Sequence, residues 1–168
     1  MSKNLFSPTM LKKYLGCKYI IFNEINEKKL NLKKIELNIN DKLRFEKGNQ
    51  HEKDYLKELK KTHKKVLDLK KSDLTREEKI SKTIQAMKDG WEIIHGGWLK
   101  KDKWTGEFDF LIINKELKSK FGDYSYEVID TKYSNKPKPD HIIQLGMYTY
   151  MLENTQGVLP KRFTIVLK

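Results

Sequence analysis

The spacing of apolar residues changes period several times along the chain. Ser7-Pro8-Thr9-Met10-Leu11 sets a capping residue before a proline at the first helical position, and Gly16 supplies a stop, so a short helix is expected over 7–16. Residues 19–40 mix Lys, Asn and Ile without a clear period and read as loop with a short extended or helical piece. From Asp41 to about Lys61, Leu43, Tyr55, Leu56 and Leu59 fall on one helical stripe. Gly48 interrupts that helix at roughly 1 kcal/mol relative to Ala, and marks a kink or a close backbone approach. Val66-Leu67-Asp68-Leu69 is a possible short strand. Thr75-Arg76-Glu77-Glu78 is a capping box, and Ile80, Ile84 and Met87 continue a helical face until Gly90. Strand-like runs follow at 91–99, 104–113 and 124–132, the first two joined by the polar turn Lys100-Lys101-Asp102-Lys103. Beyond Pro137-Lys138-Pro139-Asp140, residues 142–152 read as a helix with an apolar core face. Gly157 and Pro160 end it, and 162–167 alternates as a final strand.

Setting aside the elements before residue 41 and an insertion at about 64–90 leaves helix, three strands, helix, strand. That order predicts an α/β fold, a small mixed sheet flanked by helices. At 168 residues the chain is expected to be one domain, 1–168, either complete or the N-terminal part of a larger protein. No run of about 18 apolar residues predicts a membrane span, and the first six residues lack the apolar stretch of a signal peptide. A single cysteine, Cys17, excludes a disulfide framework and fits a reducing, cytoplasmic setting. It also leaves too few thiolates for a cysteine-ligated zinc or iron–sulfur site. Cys17 itself reads as a packed small residue.

The net charge of +12 points towards polyanions only weakly. An AT-rich genome would favour Lys, Asn and Ile, but it does not explain an excess of bases over acids. That excess falls from +6 over residues 1–50 to +4 over 51–100 and +2 over 101–168. The last stretch holds the acids that invite a chemical explanation.

Asp109 interrupts the apolar run Phe108-Asp109-Phe110-Leu111-Ile112-Ile113, and Asp130 follows Val128-Ile129. A carboxylate inside a strand costs several kcal/mol unless it is paired or metal-bound. Asp130 and Lys132 share a sheet face by the strand period of two. Two carboxylates on adjacent strands supply hard oxygens suited to Mg²⁺ or Mn²⁺, and a neighbouring ammonium could hold an attacking water or developing phosphate charge. The competing explanation is a salt bridge between Asp109 and Lys132. Glu127, three positions from Asp130, should face the other side and act structurally. His51 and Glu52 lie 100° apart on a helix, and either could point at the sheet. Gln144 and Tyr148 share a helical face and could bind phosphate or orient a carboxylate, with Gly146 between them allowing close helix-to-sheet packing.

Taken in order, Gly48…His51-Glu52, Gly106…Asp109, Glu127…Asp130-Thr131-Lys132 and Gln144…Tyr148 resemble the PD-(D/E)XK nuclease superfamily. Within it the likeness is to RecB-like nucleases, above all those with a Gly-x-x-His-Glu-x-x-Tyr-Leu helix, here 48–56. The resemblance runs over nearly the whole chain from Phe6. It implies a restriction-endonuclease-like core and metal-dependent hydrolysis of DNA, as an exonuclease in repair, recombination or processing. It further implies that Asp109 and Asp130 bind one or two Mg²⁺ or Mn²⁺ ions with the Thr131 carbonyl. His51 or Glu52 would be a further ligand, with Glu52 favoured by its count from Gly48. Lys132 would position the hydrolytic water, and Gln144 and Tyr148 would touch DNA or brace the site. The iron–sulfur branch of these relatives is excluded by the lone cysteine. Trp98, Trp104 and Tyr133 could stack on bases, and Lys136 and Lys138 could meet phosphates. Single- or double-stranded DNA is the expected partner, and the resemblance also allows a helicase or RNase H-like domain in a larger assembly. The rival expectations are a non-catalytic nucleic-acid-binding module that keeps the fold, and a nuclease acting on RNA.

Overall fold

A computed structural model describes residues 5–33 and 35–168. The reading of the N-terminus as lacking a signal peptide rests partly on residues 1–4, outside the described residues. Helices α1 (Pro8–Gly16), α2 (Lys18–Asn26) and α3 (Ile39–Thr62) come first, then strand β1 (Val66–Asp68) and helix α4 (Arg76–Lys88). Strands β2 (Ile93–His95), β3 (Trp98–Lys101), β4 (Trp104–Glu107), β5 (Phe110–Asn114) and β6 (Ser125–Lys132) follow. Helix α5 (Pro139–Gln156) and strand β7 (Thr164–Leu167) close the chain.

The main sheet has five strands in the order β1-β2-β5-β6-β7. Strands β2, β5 and β6 form an antiparallel meander, while β1 and β7 run parallel to their neighbours at the two edges. The sheet is mixed and has helices on both faces. Strand alternation divides its residues between two cores. Ile94, Leu111 and Val128 pack with Met87 of α4 and Leu145, Tyr148 and Leu152 of α5. Ile93, Phe110 and Ile129 pack beneath Leu56 and Leu59 of α3. No helix among the described residues is long and apolar enough to cross a membrane.

The caps follow the sequence. Ser7 accepts from the Met10 N–H ahead of Pro8, both halves of the Thr75–Glu78 capping box are made, and Gly157 ends α5 with a left-handed φ of 79°.

Residues 19–40 hold a short helical piece followed by loop, as expected; that piece belongs to α2, which packs chiefly on α1 and leaves Tyr19, Phe22 and Ile25 exposed. Several other expectations are corrected. In α3 the buried stripe is Leu56 and Leu59; Leu43 stays exposed because this half of the helix runs past the sheet. Gly48 and Gly146 face open space, so neither permits a close approach. The runs 91–99 and 104–113 are each broken in two, and β3 and β4 form a separate two-stranded sheet. The first break falls at Gly96-Gly97, where a Cβ on Gly97 would lie 2.5 Å from both Phe108 and Thr83, and the second at Phe108-Asp109. The 64–90 insertion is partly structural, since β1 extends the main sheet. Cys17 is exposed at the N-cap of α2 rather than packed.

Candidate active site

The β5–β6 ladder brings the two aspartates together. Phe110 pairs with Ile129, so one step further Asp109 faces Asp130. Asp109 is not inside a strand as expected; it occupies the bend just before β5. From there its Oδ2 accepts from the Thr131 N–H at 2.8 Å and the Thr131 hydroxyl at 2.9 Å. Asp130 is 3% exposed and its Oδ2 meets the Lys132 ammonium. That ammonium is its one ion-pair partner among the described residues. Burial and the adjacent Asp109 carboxylate push the Asp130 pKa up from 3.8 to about 6, against the pull of Lys132 and, more weakly, Lys12. The lysine therefore pairs with Asp130, not across to Asp109.

Helix α5 closes one side of the pair. The Tyr148 hydroxyl donates to the Glu107 carbonyl. Burial raises its pKa well above the ordinary phenol value; a bond from Gln144 opposes the rise, and the Asp109, Asp130 and Glu107 carboxylates add to it. Tyr148 is thus held as a proton donor. Gly106 makes room for it: a Cβ there would lie 2.9 Å from Pro8 and 3.0 Å from the Tyr148 ring. At the start of α5, Asp140 pairs with Lys12 of α1 at 2.8 Å. His141 beside it is buried and held below its usual pKa by burial and by Lys132, Lys12 and Lys138, with Asp140 opposing.

His51 and Glu52 both reach the sheet, but at different strands. The His51 Nε2 lies 3.2 Å from the Val166 carbonyl on β7. Glu52 lies 2.8 Å from the His95 Nε2, and the His95 Nδ1 lies 2.8 Å from Asp68. Lys70 completes this second cluster, 3.0 Å from Glu52 and 3.4 Å from Glu107. Burial raises the Glu52 pKa, yet the bonds from His95 and Lys70 outweigh it, and the carboxyl sits below its usual range. Lys70 is shifted the other way: burial lowers it, and Glu52, Asp109 and Glu107 together raise it. Among the described residues no three His, Cys, Asp or Glu side chains are grouped to share a cation. Neither His51 nor Glu52 is therefore gathered with Asp109 and Asp130.

Glu127 faces away from Asp130 as expected and is structural, bonded to Asn114 at 2.6 Å and to Arg162 at 2.9 Å. Tyr133 is half exposed, with the Lys168 and Lys47 ammonium groups 5.0 and 6.0 Å from its ring. Lys136 and Lys138 lie exposed on the loop leading into α5. Trp104 packs against Phe6 with ring centroids 5.6 Å apart and the planes tilted by 47°, in an apolar recess, and Trp98 lies under Arg76 at 5.0 Å. Both tryptophans are engaged within the protein.

Sequence reasoning missed Asp68, Lys70, His95 and Glu107. A signal for one was present: Gly96 has a φ of 64°, and a Cβ there would lie 2.7 Å from the Lys70 backbone. The glycine pair marks where the loop carrying Lys70 presses onto the sheet. Comparison with protein families, curated proteins and solved structures finds no match to this chain.

Proposed function

We propose that this protein is a metal-dependent phosphodiesterase that hydrolyses DNA, built on a restriction-endonuclease-like core of the RecB-like PD-(D/E)XK kind. The order α3, antiparallel β2-β5-β6, α5 and parallel β7 supports the fold reading. The observation that carries the proposal is the buried Asp130, held beside Asp109, its carboxyl pushed up despite the Lys132 ammonium and the weaker pull of Lys12. A site short of positive charge, lined by hard carboxylate oxygens, fits Mg²⁺ or Mn²⁺.

Asp109 and Asp130 would hold the ion, and the Thr131 N–H and hydroxyl fix the Asp109 carboxylate in place. A bound divalent ion supplies Lewis-acid charge to the scissile phosphate and lowers the pKa of water. Lys132, on the same strand face as Asp130, orients that water or offsets charge developing on the phosphate. Tyr148 and Gln144 brace the wall opposite, Tyr148 through the Glu107 carbonyl that leads into Asp109.

One observation favours a second reading. Glu52, the acid expected from the resemblance as a third ligand, is already satisfied by His95 and Lys70. A module that binds nucleic acid without cutting it would look like this. The test is Mg²⁺-dependent degradation of single- and double-stranded DNA, and of RNA, by the protein and by Asp130→Ala. Cleavage lost in the variant supports the nuclease; equal cleavage contradicts the site. Binding with no cleavage at any divalent ion supports the module.

A further inference from the structure

Exposed apolar side chains crowd into one stretch of the chain. Between residues 19 and 46, eleven large ones face solvent, among them Tyr19 at 75% exposure and Ile35 at 95%. Together they present on the order of 1,000 Å², against about 300–600 Å² for the largest apolar patch of a typical monomer. Two shapes make up this surface. On α2, Tyr19, Phe22 and Ile25 recur every three residues as an exposed ridge, while Ile21 turns inward. Beside the ridge, a groove of about 490 Å³ runs between the end of α2 and the segment that follows it. Asn23, Glu24 and Glu27 form one wall, and Leu32, Ile35 and Leu37 line the other. A convex apolar ridge next to a concave apolar groove is the arrangement an isologous pair uses, each copy's ridge entering the other's groove about a two-fold axis.

Charge favours a second copy over a polyanion or a bilayer. Residues 19–46 carry six bases and five acids, a net +1 in a chain of +12. Two copies meet here with less repulsion than on the basic remainder of the surface. The polar side of α2 holds Asn23, Glu24 and Glu27, where a helix lying on anionic lipid carries Lys and Arg. Covering most of the patch would bury about 800 Å² per copy, the extent of a standard stable interface.

We propose that this face is a homodimer interface, in which Tyr19, Phe22 and Ile25 of one copy seat in the groove lined by Leu32, Ile35 and Leu37 of the other. It does not depend on any activity at Asp109 and Asp130.

The test is the mass of the full chain by sedimentation equilibrium at micromolar concentration. The parent should show twice the mass of one chain. Phe22→Lys and Ile35→Glu should each be monomeric, because each puts an unpaired charge into both ridge-to-groove contacts. An equimolar mixture of the two variants should regain the dimer. One contact is then of the parent kind, and the other sets an ammonium against a carboxylate. Leu159→Glu, at an exposed apolar position after α5, should keep the parent's mass. All three positions are exposed, so the fold is retained, which circular dichroism checks. A monomeric parent overturns the interface, as do single variants that stay dimeric or a mixture that stays monomeric. Loss of the dimer in Leu159→Glu overturns it too, by showing general apolar adhesion. A monomeric parent that sediments with phosphatidylglycerol vesicles gives the face to a membrane surface and overturns the second copy as its occupant.

Discussion

Two carboxylates on opposite faces of one sheet, Glu52 partly buried and Asp130 fully buried, meet opposite fates. Glu52, on α3, is held by His95 and Lys70 and is stabilised as an anion. Asp130, under α5, has Asp109 for a neighbour and the Lys132 ammonium as its ion-pair partner, and is destabilised as an anion. The first is a finished structural network. The second is relieved by taking up a proton or a cation. Perturbed carboxylates of the second kind mark functional sites more often than satisfied ones do. On the proposed reading, this contrast favours Asp109 and Asp130 over Glu52 as the metal site.

The contrast can be broken by separating activity from stability. Asp130→Asn and Lys132→Met should each lower metal-dependent cleavage by about 10²–10⁴-fold, a range typical of removing a positioned proton-transfer or charge-stabilising group. Glu52→Gln should retain far more activity in a steady-state assay at saturating Mg²⁺. Equal losses at the two positions would erase the distinction.

Stability should move in the opposite sense. The folded-state pKa of Asp130, about 6, lies above its ordinary 3.8. The folded state therefore holds the proton more tightly, and this favourable contribution is full below 3.8 and lost as pH rises through about 6. A displacement of that size corresponds to roughly 3 kcal/mol at most. Asp130→Asn should therefore be more stable than the parent at pH 8 in metal-free buffer, and about equal to it near pH 4. Urea unfolding at the two pH values measures this; a less stable variant at pH 8 contradicts it.

Glu52 should show the reverse dependence. Its pKa is depressed, so its contribution is present above the ordinary 4.5 and is lost as pH falls through the lower folded-state value. Removing its charge-assisted bonds in Glu52→Gln should cost about 1–2 kcal/mol at pH 7. His95→Ala should cost a similar amount, and the double variant less than the sum, because both act in one network. Additive losses would show that the two residues are not coupled.

The smallest effect concerns Lys70. Its ammonium lies between Glu52 and Glu107 and within the field of Asp109. Lys70→Met should leave these acids short of a counter-charge and tighten Mn²⁺ binding several-fold, read by calorimetry. An unchanged affinity would place Lys70 outside the field of the site.

Much of this was legible from residue order alone. The capping box at Thr75, the proline and serine before α1 and the glycine after α5 are local signals, and local chemistry decided them. Asp130 and Lys132 were placed by the period of two because β6 is buried along most of its length. What escaped were features set by long-range contact. Gly96-Gly97 breaks the first apparent strand where Thr83 and Phe108 lie too close to Gly97 for a Cβ. His95 reads as another residue of a strand until α3 and β1 bring Glu52 and Asp68 to its two nitrogens. The choice between His51 and Glu52 depended on helix rotation over the sheet, and the structure gives each a different strand.

Mn²⁺ titration followed by electron paramagnetic resonance, on the protein and on Asp130→Asn and Glu52→Gln, tests the central claim most directly. The account predicts saturable binding to the parent, its loss in Asp130→Asn and its retention in Glu52→Gln. Binding that survives in Asp130→Asn but disappears in Glu52→Gln would put the metal on the other face of the sheet and contradict it.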